Sequence, residues 1–103
     1  MKLVKREKKN NWSNNHLITS MLRNAGLSVT HSRVTVLSIF IYDKSIRLTA
    51  CDAFKVLMRR QETVSLSTLY YVLKNLAEVG VLVETSIHES AKHYSLKSED
   101  HKS

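Results

Sequence analysis

The sequence predicts one mainly α-helical domain that closes with a small β-hairpin. Three observations carry this. Apolar residues recur at helical spacing in four successive segments. An alternating run follows Gly80. The 103 residues hold no proline and two glycines, a composition that favours helices with short connections over a loop-rich sandwich.

Asn14-Asn15 offers a start for the first helix. Leu17, Ile18, Met21, Leu22 and Ala25 follow at helical spacing before Gly26 ends the segment. Thr30 caps the second helix, with Val34, Leu37 and Ile41 on one stripe and Val36 and Phe40 widening it. The β-branched run VTVLSIFIY also suits a strand, but the solvated first turn His31-Ser32-Arg33 behind Thr30 favours a helix. Thr49-Ala50-Cys51-Asp52 has the spacing of a capping box, and Ala53, Phe54, Val56 and Leu57 form the buried face of a third helix ending near Arg59-Arg60.

Ser65 caps a fourth helix that carries Leu66, Leu69, Leu73 and Leu76, flanked by Val72 and Val79, with Gly80 as its left-handed stop. The period then changes. Val81, Val83, Thr85 and Ile87 alternate with Leu82, Glu84 and Ser86, His88-Glu89-Ser90-Ala91 turns the chain, and Lys92 to Leu96 returns as a second strand. The third and fourth helices make a helix-turn-helix and the hairpin makes its wing. The expected division is a basic flexible arm over 1–13, a winged helix-turn-helix domain over 14–97 and a frayed tail over 98–103.

Composition narrows the function. Sixteen Lys and Arg against nine Asp and Glu give a net charge of +7, which points to an anionic partner, nucleic acid before acidic membrane. Residues 1–9 hold five bases against one acid, a local +4, and the rest of the chain, with eleven bases and eight acids, adds only +3. That first segment reads either as a solvated tail or as an arm that tracks phosphates through residues such as Lys8 and Lys9. No apolar run approaches the ~18–20 residues that span a bilayer, and the amino terminus lacks the pattern of a secretory signal. Cys51 is a lone cysteine, which suits a reducing cytoplasm and a structural role. The five histidines show no i, i+3 or i, i+4 pair. His88 and His93 facing one another across the hairpin would make a poor metal site alone, so no metal or cofactor is expected. Neither a phosphate-cradling glycine loop nor a nucleophile motif occurs, and an enzyme is not expected.

Three stretches resemble the ferric uptake regulator (Fur) family. Leu22-Arg-Asn-Ala-Gly-Leu-Ser-Val-Thr30-His-Ser-Arg33 is similar to the family's opening motif, and Leu48-Thr-Ala-Cys-Asp52 to the start of its third helix. Val64-Ser-Leu-Ser-Thr-Leu-Tyr70-Tyr-Val-Leu-Lys-Asn-Leu-Ala-Glu-Val-Gly80-Val-Leu resembles its recognition helix and the entry to its wing. Together they cover roughly residues 17–96. The resemblance implies a DNA-binding winged helix of a bacterial transcription regulator. The departures are informative too. Family members carry a second, C-terminal dimerisation domain with metal ligands, and this chain stops where that domain would start. Arg47 and Ser95 stand where the family often has a metal-binding His and Glu, and Tyr71 stands where its recognition helix usually has a phosphate-contacting arginine.

The expected DNA-binding residues follow. Opposite its leucines the fourth helix presents Ser67, Thr68, Tyr71, Lys74 and Asn75, with Ser65 at its amino end. Thr68 suits a thymine methyl, Ser65 and Ser67 suit phosphate, and Tyr71 keeps a hydroxyl for phosphate but loses the charge. Tyr70 contacts bases by resemblance, or packs on the wing with its hydroxyl at the surface. Arg33 lies near the DNA backbone by resemblance, or in a salt bridge with an Asp or Glu. Arg59 and Arg60 read as a solvated helix end. Lys92 and His93 flank the wing tip, toward DNA or toward solvent. The function expected is a sequence-specific regulator that binds double-stranded DNA in the cytoplasm, as a homodimer or as a heterodimer with a full-length relative. The alternative is a winged helix that binds or titrates a protein, such as polymerase or a full-length relative.

Overall fold

The computed structural model describes residues 15–88 and 91–97. The basic arm with Lys8 and Lys9, Asn14 of the first cap, the Glu89-Ser90 tip and the tail over 98–103 lie outside the described residues. Helix α1 occupies residues 15–24, α2 His31–Tyr42, α3 Ala50–Arg59 and α4 Leu66–Glu78. The strands are β1, Arg47–Leu48, β2, Leu82–His88, and β3, Ala91–Leu96.

Helices α2, α3 and α4 each start where a side-chain oxygen can take up an otherwise orphaned amide. Thr30 Oγ1 accepts from the Arg33 amide at 3.2 Å, Ser65 Oγ from the Thr68 amide at 3.2 Å and Thr49 Oγ1 from the Asp52 amide at 3.1 Å. The Asp52 carboxylate also accepts the Thr49 amide at 3.5 Å, closing the capping box.

Three of the helices end alike. In α1, α3 and α4 the residue after the C-cap takes a positive φ, and two amides fold back on the last turn. The bonds are Leu27 to Leu22 O and Gly26 to Arg23 O, Glu62 to Leu57 O and Gln61 to Met58 O, and Val81 to Leu76 O and Gly80 to Ala77 O. Gly80 takes φ +84° at no steric cost, whereas α3 places Gln61 in the same region at φ +61°.

Helix α2 is central. Val36, Leu37, Ile39, Phe40 and Ile41 are buried on several sides of it, and it packs against α3, α4 and β3. Its β-branched residues therefore reflect a helix enclosed by neighbours, not a strand. Ile18 and Leu22 of α1, Ala50, Ala53 and Leu57 of α3, and Leu69, Val72, Leu73 and Leu76 of α4 complete the core with Leu82 and Tyr94 of the sheet. Burying each of these large aliphatic side chains contributes about 1.5–3 kcal/mol before the entropy of ordering is counted.

The sequence expectations are adjusted at several points. Phe54 and Val56 only half-bury, because α3 offers the core a narrower face. Leu66 and Val79 sit at the two ends of α4, beyond the neighbouring elements, and are 40% and 37% exposed. The wing is part of a three-stranded antiparallel sheet in the order β1-β3-β2, since Arg47 pairs with Ser95 and Leu48 with Tyr94. β3 begins one residue before the expected return strand. The alternation of β2, which left open the face that turns inward, sets Leu82 rather than Val83 against the core. Leu82 is buried and Val83 is 41% exposed, because Val81 still belongs to the closing motif of α4 and packs into the core from there.

Candidate nucleic-acid interface

The amino end of α4 carries a hydroxyl cluster. Ser65 accepts the Thr68 amide, donates to Thr68 Oγ1 at 3.0 Å and lies 3.3 Å from Ser67 Oγ. The unpaired amides of the first turn and the helix dipole make this end attractive to an anion. Leu69, Val72, Leu73 and Leu76 hold the opposite side of α4 in the core, so Ser67, Tyr70, Tyr71 and Lys74 face solvent on one side. Tyr71 is 64% exposed and Tyr70 49%.

Asn75 is turned differently from the expectation that placed it among the outward residues. It is half-buried, and its Oδ1 accepts from Arg33 Nε at 3.3 Å. Arg33 also donates through Nη1 to Ser28 O and Ser28 Oγ, each at 3.0 Å. Its described partners are thus an amide, a carbonyl and a hydroxyl, not the carboxylate of a salt bridge. Arg33 ties the start of α2 and the loop before it to the middle of α4. Arg60 is no loose helix end either, since Nη1 donates to Ser38 Oγ at 3.1 Å and the guanidinium lies 5.7 Å from the centroid of the Tyr42 ring.

Between α4 and the wing runs an open groove of about 510 Å³, lined by Lys74 and Glu78 from α4, Glu84 from β2, Lys92 from β3 and Lys97 beyond it. Pairing of Leu82 with Leu96, Glu84 with Tyr94 and Ser86 with Lys92 puts these residues on the sheet face toward α4. Glu84 is the hub. Its Oε2 accepts the Tyr94 hydroxyl at 3.1 Å and lies 3.5 Å from Lys92 Nζ. Tyr94 is pushed up to about 12 by its burial first, then by the hydrogen bond and charge of Glu84, with Tyr70 adding to the effect. Tyr70 therefore stands at the junction of helix and wing. Nothing in the residue pattern of Glu84 or Tyr94 singled them out, because the cluster depends on strand register. Val83, Thr85, His93 and Ser95 alternate onto the other sheet face, so Lys92 and His93 diverge. The register opposes His93 to Thr85 and His88 to Ala91, and the two histidines are not cross-strand partners.

The arrangement is that of a winged helix-turn-helix, with an exposed helix flanked by a hairpin. The chain belongs to the Ferric uptake regulator family, whose profile matches residues 24–103. Relatives include the ferric uptake regulation protein of Synechococcus elongatus, 36% identical over 76 residues, which covers 73% of this chain and 52% of that protein. Among solved structures, the ferric uptake regulator of Pseudomonas aeruginosa with manganese superposes at a TM-score of 0.75 with 32% identity, covering 80% of this chain and 61% of that one. The Vibrio cholerae regulator shares the fold at a TM-score of 0.75 and 24% identity, covering 81% and 63%. The chain spans about half the length of the curated relatives it matches. The family comprises transcription regulators, not enzymes.

The family's name implies a metal, but the described residues do not fit one. No three His, Cys, Asp or Glu side chains converge among them. Arg47 and Ser95 are direct partners across β1 and β3, and a guanidinium has no lone pair to offer. No helix among the described residues is long and apolar enough to cross a membrane.

Proposed function

We propose that this chain is a sequence-specific regulator that binds double-stranded DNA in the cytoplasm, with α4 in the major groove and the wing beside the flanking backbone. The observation that carries this is the two-sided character of α4. One side is locked into the core, and the other offers short hydroxyls at its amino end, then Tyr70, Tyr71 and Lys74. Such a helix can hold a phosphate at its first turn while side chains further along reach base edges. In this reading Ser65, Ser67 and the α4 amides bind phosphate, and Thr68 and Tyr70 face bases. Tyr71 and Lys74 bind the neighbouring strand. Arg33, through Asn75, fixes the angle at which α4 is presented. Lys92 of the wing lies beside the flanking backbone, and Lys8 and Lys9 of the arm contribute charge.

A single module of this size buries little surface, so a second copy of the chain or a full-length relative supplies the other half-site. Selection of bound duplexes from a random pool, followed by a salt series on the selected site and on random duplex, tests the proposal. The expected result is a recovered motif, with an affinity whose logarithm falls linearly with log salt at about −0.9 per neutralised phosphate. Palindromic symmetry in that motif is the signature of two copies. The exposed Leu66, Tyr70 and Tyr71 also suit a protein partner. Failure to bind any duplex at low salt leaves that second reading in place of the first.

A further inference from the structure

We infer that Glu84 sets the grip of the wing: its carboxylate occupies Lys92, and so withholds that cation from the DNA backbone. The inference rests on the DNA-binding reading of the groove between α4 and β2, and assigns a residue that the reading alone does not.

Glu84 and Lys92 sit diagonally across the β2–β3 ladder, with Nζ and Oε2 3.5 Å apart. Both line the groove that Lys74 enters from the exposed side of α4, so both face where a phosphate ridge would pass. The carboxylate has a fixed place, because the hydroxyl of buried Tyr94 donates to the same oxygen at 3.1 Å. Lys74, by contrast, has no carboxylate within ion-pair distance among the described residues. An acidic group at this point acts twice against a polyanion. The first and larger effect is competition with phosphate for the Lys92 ammonium, and this is the part that disappears when Lys92 is also removed; the second is repulsion of the phosphate itself. Phosphate contacts carry no sequence information, so the effect is one of strength, equal for cognate and random duplex.

The test is a two-by-two set, wild type, Glu84→Gln, Lys92→Gln and the double variant, measured on cognate and random duplex from 0.05 to 0.5 M salt. Glutamine keeps an acceptor for Tyr94 and removes only the charge. Freeing one cation to neutralise one phosphate steepens the log–log salt slope by about 0.9, equivalent to about eightfold tighter binding at 0.1 M and about twofold at 0.5 M. Glu84→Gln should show that gain on both duplexes, and the double variant should lose it. Lys92→Gln alone should cost less than about twofold at 0.1 M, because the cation it removes is already engaged. A full eightfold loss in Lys92→Gln overturns the inference, and does so even if Glu84→Gln fails to fold. So does an unchanged slope in Glu84→Gln, or a gain that survives undiminished in the double variant. If wild type binds duplex while Glu84→Gln matches it, only this inference falls. If neither binds at 0.05 M salt, the DNA-binding reading falls and takes the inference with it.

Discussion

At the residue scale, one residue holds a backbone conformation that its type does not favour, and another holds its proton more tightly than its type does alone. Gln61 closes α3 at φ +61°, where a Cβ costs about 1–2 kcal/mol. Its backbone bonds match those made by Gly26 and Gly80, so the position asks for the same freedom. Gln61→Gly should stabilise the domain by about 0.5–1 kcal/mol, the strain relieved less the greater entropy of glycine in the unfolded chain. A shift of the urea midpoint at constant m-value is the measurement. Tyr94 is the second case. Its hydroxyl is raised from 10.0 to about 12, so the folded state holds the proton more tightly than the unfolded chain. The stability this contributes is complete below pH 10 and is lost as pH rises from 10 toward 12. Tyr94→Phe should therefore flatten the alkaline fall of the melting temperature over that window. The two proteins differ only at this hydroxyl, so their comparison isolates it.

At the element scale, what the sequence disclosed and what it hid divide by the range of the interaction. The starts of α2, α3 and α4 and the stops of α1, α3 and α4 were legible because each is decided within a few residues, as Thr49 and Asp52 show by capping one another. Thr49→Ala removes one of the two reciprocal bonds and should cost about 1 kcal/mol, read from thermal or urea unfolding. Exposed Met58 or Lys55 of the same helix, changed to alanine, should move stability by less than about 0.5 kcal/mol. The β1 strand was not legible, since two residues carry no period and their pairing with β3 spans more than forty positions. The phase of β2 was not legible either, for a related reason. Alternation shows that two faces exist, while the closing motif of α4 decides which of them turns inward. The candidate interface divides the same way. Ser67, Tyr71 and Lys74 follow from the helical period, whereas the Arg33–Asn75 tie and the Glu84–Lys92–Tyr94 cluster exist only once elements are packed.

At the scale of the whole molecule, the question is where a net charge of +7 acts. Residues 1–9 hold a local +4, more than half of the total, while the groove between α4 and the wing sets Lys74, Lys92 and Lys97 against Glu78 and Glu84. A helix whose exposed side carries Tyr70 and Tyr71 with Lys74 as its one cation, beside so nearly balanced a groove, gains little from long-range attraction. On the DNA-binding proposal, the charge that drives association then comes mostly from the arm. The salt slope makes this measurable, because it counts the phosphates that lysines neutralise wherever in the chain those lysines lie. Changing Lys8 and Lys9 together to alanine should flatten the log–log slope by about 1.8 and weaken binding about sixtyfold at 0.1 M salt. The loss should be equal on cognate and random duplex, since an arm on the backbone reads no bases. An affinity loss on the cognate site alone would instead place the arm in a groove, reading sequence. An unchanged slope would return the burden of charge to the folded domain, and to Arg59 and Lys74 as the next cations to test.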